Sequence, residues 1–367
     1  MAEVFLEARN ISKTFVGVKA LDNVDLTIGK GEIHCLIGEN GSGKSTLIKI
    51  IGGVYKADSG IIRIEGTELR GMQAIESIRA GIQIIYQDLS LFPNLTVAEN
   101  ISVNQMLESN QQKVNWKQVR ETARKALAEI GEDIPLDERV ESLSVAKKQI
   151  IAISRALTQN AKLIIMDEAT SAITSEEVSH LFSIILKLKQ RGIATLFVSH
   201  KLSEVFQIAE NITVLRDGKL LGVYPSSELD EEKLAYIMTG RMLKFEPYRY
   251  DEQMKDPVPL LEVKNLAKAG QYRNINFQLQ KGEILGIIGL IGSGRTEVVE
   301  SIFGIDGADS GSIMVSGKEV HIRNPRDGMR HGIAFLPEDR LTQGLFDVQS
   351  IGNNIVITIL KSFLKKS

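Results

Sequence analysis

The chain has 367 residues with ordinary apolar (43%) and charged (25%) content, which sets aside disordered, collagen-like and long coiled-coil classes. Its 44 basic and 46 acidic side chains leave a net charge of −2, so indiscriminate binding to nucleic acid or anionic lipid is disfavoured. The single cysteine, Cys35, excludes an internal disulfide and suits a reducing compartment, no run of about 18 apolar residues is long enough to span a bilayer, and residues 1–4 carry no secretory signal.

Taken from the N-terminus, short apolar runs alternate with helical patterns. Residues 32–37 read as a buried strand, 45–51 as a helix and 82–86 as a second strand. A mostly helical stretch covers 97–130. Then come a helix at 149–158, a strand at 163–166, a helix at 176–190 and a strand at 194–198. The alternation predicts an α/β core with a largely parallel sheet. Proline and charge concentrate in FEPYRYDEQMKDPVP, residues 245–259, which reads as a solvated linker.

Beyond the linker the chain repeats itself. GEIHCLIGENGSGKST begins at Gly31 and GEILGIIGLIGSGRTE at Gly282, an offset of 251 residues. The same offset pairs Ala57-Asp58-Ser59-Gly60 with Ala308-Asp309-Ser310-Gly311. Over the 36 positions from Gly31 there are 16 identities without a gap, so the chain carries a duplicated module. Two modules of roughly 250 residues need roughly 500, so the second copy is expected to be incomplete.

Gly38-Glu39-Asn40-Gly41-Ser42-Gly43-Lys44-Ser45 matches G-x-x-x-x-G-K-[ST], with a strand before it and a helix after it. Glycines let the backbone turn several N–H groups toward one anion, and the helix N-terminus adds its positive dipole end. Lys44 is expected on the β- and γ-phosphates of a nucleotide, and the Ser45 hydroxyl on Mg²⁺. Thr46 follows in the same first helical turn. In the second copy Arg295 stands where the lysine is expected, predicting nucleotide binding without efficient hydrolysis there.

The strand at 163–166 runs into Asp167-Glu168. A strand buried on both faces can be apolar throughout, and its C-terminal end faces the ligand. Asp167 is placed to hold the metal shell and Glu168 to take a proton from attacking water.

At this point the chain resembles the ATP-binding cassette (ABC) family. Leu143-Ser144-Val145-Ala146-Lys147-Lys148-Gln149 stands where that family has its LSGGQ signature. Gln87 stands at its Q-loop, Ser171-Ala172-Ile173-Thr174 at its D-loop, His200 at its switch histidine and Phe15 where an aromatic ring stacks on adenine. The LSVA-type signature, with GLIGSGRTE from Gly289, PEDR from Pro337 and SIGNN from Ser350, resembles the ATPase subunits of monosaccharide (ribose, galactose or xylose) importers, which carry tandem nucleotide-binding domains. Gln87 falls on Glu338 at the repeat offset, as in those proteins.

The resemblance implies a P-loop NTPase cassette of class α/β, with a parallel-sheet core, an antiparallel β subdomain and a helical subdomain, duplicated with the second copy incomplete. It implies a complete domain at 1–242 with the helical subdomain at about 92–160, a linker at 243–258, and the N-terminal part of a second domain at 259–367. ATP and Mg²⁺ are the implied ligands. Phe15, Gly38, Glu39, Asn40, Gly41, Ser42, Gly43, Lys44, Ser45, Thr46 and Ser144 would touch the nucleotide, and Ser45, Gln87 and Asp167 the metal. Glu168, His200 and Gln87 are the implied catalytic set, with Gln87 also linking nucleotide to membrane partner. The implied partners are membrane permease subunits, an extracytoplasmic sugar-binding protein acting indirectly, and a second nucleotide-binding domain in the same or another chain, with no nucleic acid. The chain would work at the cytoplasmic face of the membrane. The alternatives are a weakly active or non-catalytic nucleotide-binding fragment, and a soluble cassette ATPase acting on ribosomes or DNA. The second signature would lie past the last residue, which predicts poor hydrolysis by this chain alone. The apolar run at 355–364 would be buried in a complete module, and with Lys361 inside ten residues it does not span a membrane.

Overall fold

The computed structural model describes residues 3–69, 73–86, 88–108, 113–170, 173–241, 248–250, 256–290, 292–339 and 343–359. Gln87, Ser171, Ala172, Arg340, most of the 243–258 segment and residues 360–364 lie outside them. The chain divides into two compact units, Met1–Lys244 and Phe245–Ser367.

The first unit begins with a long antiparallel hairpin, β1 (Val4–Phe15) and β2 (Val18–Gly29). The chain then enters the central sheet at β3 (Ile33–Ile37) and turns into helix α1 (Lys44–Ile51). Strands β4 (Ser59–Ile64) and β5 (Thr67–Leu69) return to the hairpin, giving a four-stranded sheet of order β2-β1-β4-β5. After helix α2 (Ala74–Arg79) comes β6 (Ile82–Ile85). Three helices follow, α3 (Val97–Glu108), α4 (Trp116–Ile130) and α5 (Val145–Thr158). The chain rejoins the central sheet through β7 (Leu163–Asp167), α6 (Ser175–Gln190), β8 (Ala194–Val198), α7 (Leu202–Ile208), β9 (Asn211–Arg216) and β10 (Lys219–Pro225). Helix α8 (Glu231–Thr239) closes the unit.

The central sheet has the order β10-β9-β3-β8-β7-β6, parallel except for the edge strand β10. Its inner strands are mostly apolar because both faces are covered, and His34, Thr195 and Thr213 are the buried polar residues among them. Ile33, Cys35, Ile37, Ile164, Met166 and Phe197 face one core with α3–α7. Leu36, Ile165, Leu196 and Val198 face the other, with α1 and the antiparallel sheet. The side chains alternate with the period of two that a strand imposes.

The helices begin where their caps place them. Thr174 and Glu177 form a capping box at the start of α6, and Val178, Leu181, Phe182, Ile185 and Leu188 recur on its buried face. Ser144 caps α5, so that helix starts at Val145, four residues before the apolar pattern alone would place it.

The second unit holds a four-stranded antiparallel sheet, β11 (Leu261–Lys268), β12 (Tyr272–Leu279), β13 (Ser310–Val315) and β14 (Lys318–Val320), in the order β12-β11-β13-β14. This repeats the order of the first unit. Helix α9 (Arg295–Phe303) packs Val298 and Ile302 on it beside Val263, Leu266 and Ile313. Two short helices follow, α10 (Pro325–Arg330) and α11 (Ile351–Val356). Residues 283–290, which align with β3, form no strand, and Ile288 is 93% exposed. In the first unit β3 pairs with β8 and β9, whereas among the described residues no strand of the second unit pairs with 283–290. An apolar run without ladder partners has no reason to be a strand. Ile355, Ile357 and Ile359 are likewise exposed. No helix of the described residues is long and apolar enough to cross a membrane.

Candidate functional site

The loop between β3 and α1 is built on glycines that cannot be replaced freely. A Cβ on Gly38 would collide with the Leu215 carbonyl, and one on Gly43 would lie 2.5 Å from Ala20 O. Gly43 has φ 101°, the left-handed region that favours glycine. A Cβ on Gly41 would meet nothing, so the loop is open on that side. Glu39, Asn40 and Ser45 are exposed around it and Thr46 is half-buried.

Lys44 is only 8% exposed. Its Nζ donates to Gly38 O (2.8 Å) and Glu39 O (3.0 Å), curled over its own loop. Burial pulls its pKa below the ordinary lysine range, against the opposing charges of Glu168 and Asp167. Ser42 Oγ is buried with no hydrogen-bond partner. A buried orphan hydroxyl and a lysine that donates to loop carbonyls, in a loop where Gly38 and Gly43 leave no room for a side chain and Gly41 opens outward, fit an anion.

Two carboxylates close this site from β7. Burial and the neighbouring Glu168 push Asp167 above the usual aspartate range, while Lys44 and Lys49 pull the other way. Glu168 follows with φ 51°, a left-handed conformation rare outside glycine, and its N–H donates to Val198 O (3.0 Å). Such strain persists where surrounding structure dictates it, often at functional sites. Glu168 Oε1 lies 3.5 Å from His200 Nδ1. Lys44, Asp167, Glu168 and His200, drawn from three segments, therefore share one end of the parallel sheet.

The remaining expected residues are placed as follows. Phe15 ends β1, 39% exposed. Ser144 is exposed and its Oγ accepts the Lys147 N–H at 3.4 Å. Gln149 of the same motif is buried and donates to Ala169 O, one residue beyond Glu168. Gln87, Ser171 and Ala172 are outside the described residues.

The sequence reading missed Glu204. This carboxylate is 6% exposed. Its Oε2 accepts Thr170 Oγ1 (2.5 Å) and Ser199 Oγ (3.1 Å), and its Oε1 pairs with Lys201 Nζ (3.0 Å). Lys201 Nζ also donates to Thr170 O (3.0 Å). Glu204 thus ties the segment leaving Glu168 to the turn that carries His200. The available signal was a charged residue beside Val205 on the face of α7 that the core buries.

In the second unit the loop keeps its curvature, with Gly292 and Gly294 left-handed, but Arg295 is exposed where Lys44 is buried.

The model of the ABC transporter family matches residues 21–171 and 272–364. The chain is 41% identical to the putative ribose/galactose/methyl galactoside import ATP-binding protein of Geobacillus kaustophilus, over 98% of this chain and 71% of that protein. It is 42% identical to the galactose/methyl galactoside import ATP-binding protein MglA 1 of Photobacterium profundum, over 100% and 73% respectively. A solved nucleotide-free ATP-binding cassette from an ABC transporter matches with TM-score 0.57 and 28% identity, over 67% of this chain and 100% of that one. A dimeric cassette in a post-hydrolysis state bound to ADP and Pi matches with TM-score 0.54 and 26% identity, over 60% and 98%.

Proposed function

We propose, from the premise that the chain belongs to the ABC transporter family, that it is the ATP-hydrolysing subunit of an importer for a simple sugar. The observation that carries this is the convergence of Lys44, Asp167, Glu168 and His200 on the loop at the end of β3, with Glu168 held in a strained conformation. The import names of relatives at about 40% identity, over nearly the whole chain, supply the substrate class.

Loop N–H groups from Gly38 to Thr46 and the Lys44 ammonium would cradle the phosphates, and Phe15 would stack on the base. Ser45 and Asp167, with Gln87, would hold Mg²⁺, which when bound neutralises phosphate charge. Glu168 accepts the proton of the water that attacks the γ-phosphorus, as the bond to ADP breaks. His200, oriented beside Glu168, contacts the γ-phosphate. Ser144 would complete the site of a facing cassette, in the same or another chain. The protein's share is positioning and electrostatics, with no covalent intermediate. Closure of paired cassettes would move separate permease subunits, fed by an extracytoplasmic binding protein, with this chain peripheral at the cytoplasmic face. Gln87 would relay between nucleotide and permease.

The test is a pair of substitutions in the assembled transporter. Glu168→Gln is expected to bind ATP and fail to hydrolyse it, whereas Lys44→Ala is expected to lose binding. Normal turnover by Glu168→Gln would overturn the assignment of the base.

A further inference from the structure

The two units treat the place of Phe15 differently. In the first unit Phe15 sits at the tip of the β1–β2 hairpin, against the half-buried ring of Tyr55, with centroids 5.4 Å apart and planes at 67°. Lys13 Nζ stands 5.6 Å from the Phe15 centroid. The hairpin is joined to the phosphate loop, because Asp22 N–H donates to Gly218 O (2.8 Å) and Gly218 N–H to Ser42 O (3.2 Å). Phe15 is thus a ring held from two sides, on a hairpin tied through Gly218 to the loop, and still partly open to solvent.

Hydrogen bonds fix the counterparts in the second unit. Asp58 accepts Thr14 N–H as Asp309 accepts Ala269 N–H, both at 2.7 Å. Asp25 accepts Asn10 N–H (2.6 Å) as Asn276 accepts Asn265 N–H (2.8 Å). The acceptors keep the repeat offset of 251, but the donors on the first strand of the hairpin do not: they stand four residues further on, so the second hairpin is four residues shorter. Gly270 therefore takes the place of Phe15, Lys268 that of Lys13 and Asp306 that of Tyr55. Lys268 and Asp306 form an ion pair in the places of Lys13 and Tyr55, and neither ring of the first unit's pair has an aromatic counterpart.

We propose that Tyr55 is the residue that holds Phe15 in place for the nucleobase, a positioning residue for base binding that the first unit has and the second lacks. This rests on the reading of the first loop as an ATP site. An aromatic face binds a base without reading its hydrogen bonds, so its contribution depends on the ring being in place before the base arrives. The edge-to-face partner supplies that order.

Competition binding to the full chain with ATP and with inorganic tripolyphosphate separates base from phosphate, and the Lys44→Ala chain identifies which signal belongs to the first loop. Tyr55→Asp, which brings in the second unit's side chain, is expected to weaken ATP by about two- to tenfold, the range set by one aromatic pair. Tripolyphosphate should stay within about twofold, since no phosphate contact changes. Tyr55→Phe keeps the ring and should keep ATP affinity. Equal loss of both ligands in Tyr55→Asp, or an unchanged ATP affinity, overturns the proposal. Unchanged ATP binding by Lys44→Ala would instead remove the loop reading beneath it.

Discussion

Removing the Glu204 carboxylate should cost the first unit more than removing any surface charge. Thr170 and Ser199 are both 2% exposed, and each gives its hydroxyl to Glu204 Oε2. In Glu204→Ala both hydroxyls are left buried without that acceptor, at about 1–3 kcal/mol each. The pair with Lys201 adds little, because the lysine side chain is 39% exposed and screened. The expected loss is about 2–6 kcal/mol for Glu204→Ala. For Glu204→Gln it is about 1–2 kcal/mol, because an amide oxygen in the place of Oε2 accepts both hydroxyls but as a neutral rather than a charged acceptor. The chain has one tryptophan, Trp116 on α4, so its fluorescence in a urea titration follows the first unit alone. In the assembled transporter the same variants should lower kcat with little change in KM, since the His200 turn is displaced and the phosphate loop is not. A cost below about 0.5 kcal/mol for Glu204→Ala would refute the reasoning, because it would mean that the two hydroxyls find other partners at no expense.

Other consequences follow from the same structure. Burial acts against the Glu32 carboxylate, but hydrogen bonds from His34, the Gly29 N–H and Asn211 hold its pKa at about 2, below the ordinary 4.5. A depressed folded pKa gives stability that is complete above about pH 4.5 and is lost as pH falls toward 2, about 3 kcal/mol in all. Acid unfolding of Glu32→Gln should show a correspondingly flatter pH dependence through that window. Gly43→Ala should destabilise the loop more than Gly41→Ala: both φ values are positive, but only the Gly43 Cβ would meet Ala20 O, at 2.5 Å. Thermal melts with and without ATP would compare them, and equal shifts would contradict the packing argument. Cys35 is fully buried and burial pushes its thiol pKa up, so a thiol reagent should label it only at the rate of opening of the central sheet. Fast labelling of the native chain would contradict that.

Much of the fold was legible because its strands and loops obey local rules. Residues 163–166 are apolar without alternation and 194–198 nearly so, with Thr195 the exception, as a sheet covered on both faces requires, and both are strands. Lys44, Asp167 and Glu168 were legible because their spacing from strand ends fixes where the side chains stand. Glu204 and Tyr55 were not, since their partners are separated in sequence: Thr170 lies 34 residues from Glu204, and the ring beside Tyr55 stands at the end of β1. Residues 283–290 show the opposite failure. Their pattern is that of a strand, but a strand in the middle of a parallel sheet is made by its neighbours, and here no described strand pairs with it.

The bond from Glu168 N–H to Val198 O has a mechanical meaning. Val198 is the residue before Ser199-His200, and it pairs in register with Asp167. Asp167, Glu168 and His200 are therefore riveted to the ends of two adjacent strands. A push on the His200 turn cannot advance the histidine and leave Glu168 behind. In the proposed mechanism the group assigned to the terminal phosphate and the group assigned to the water would travel on one lever, so occupancy and attack would be timed together by the backbone.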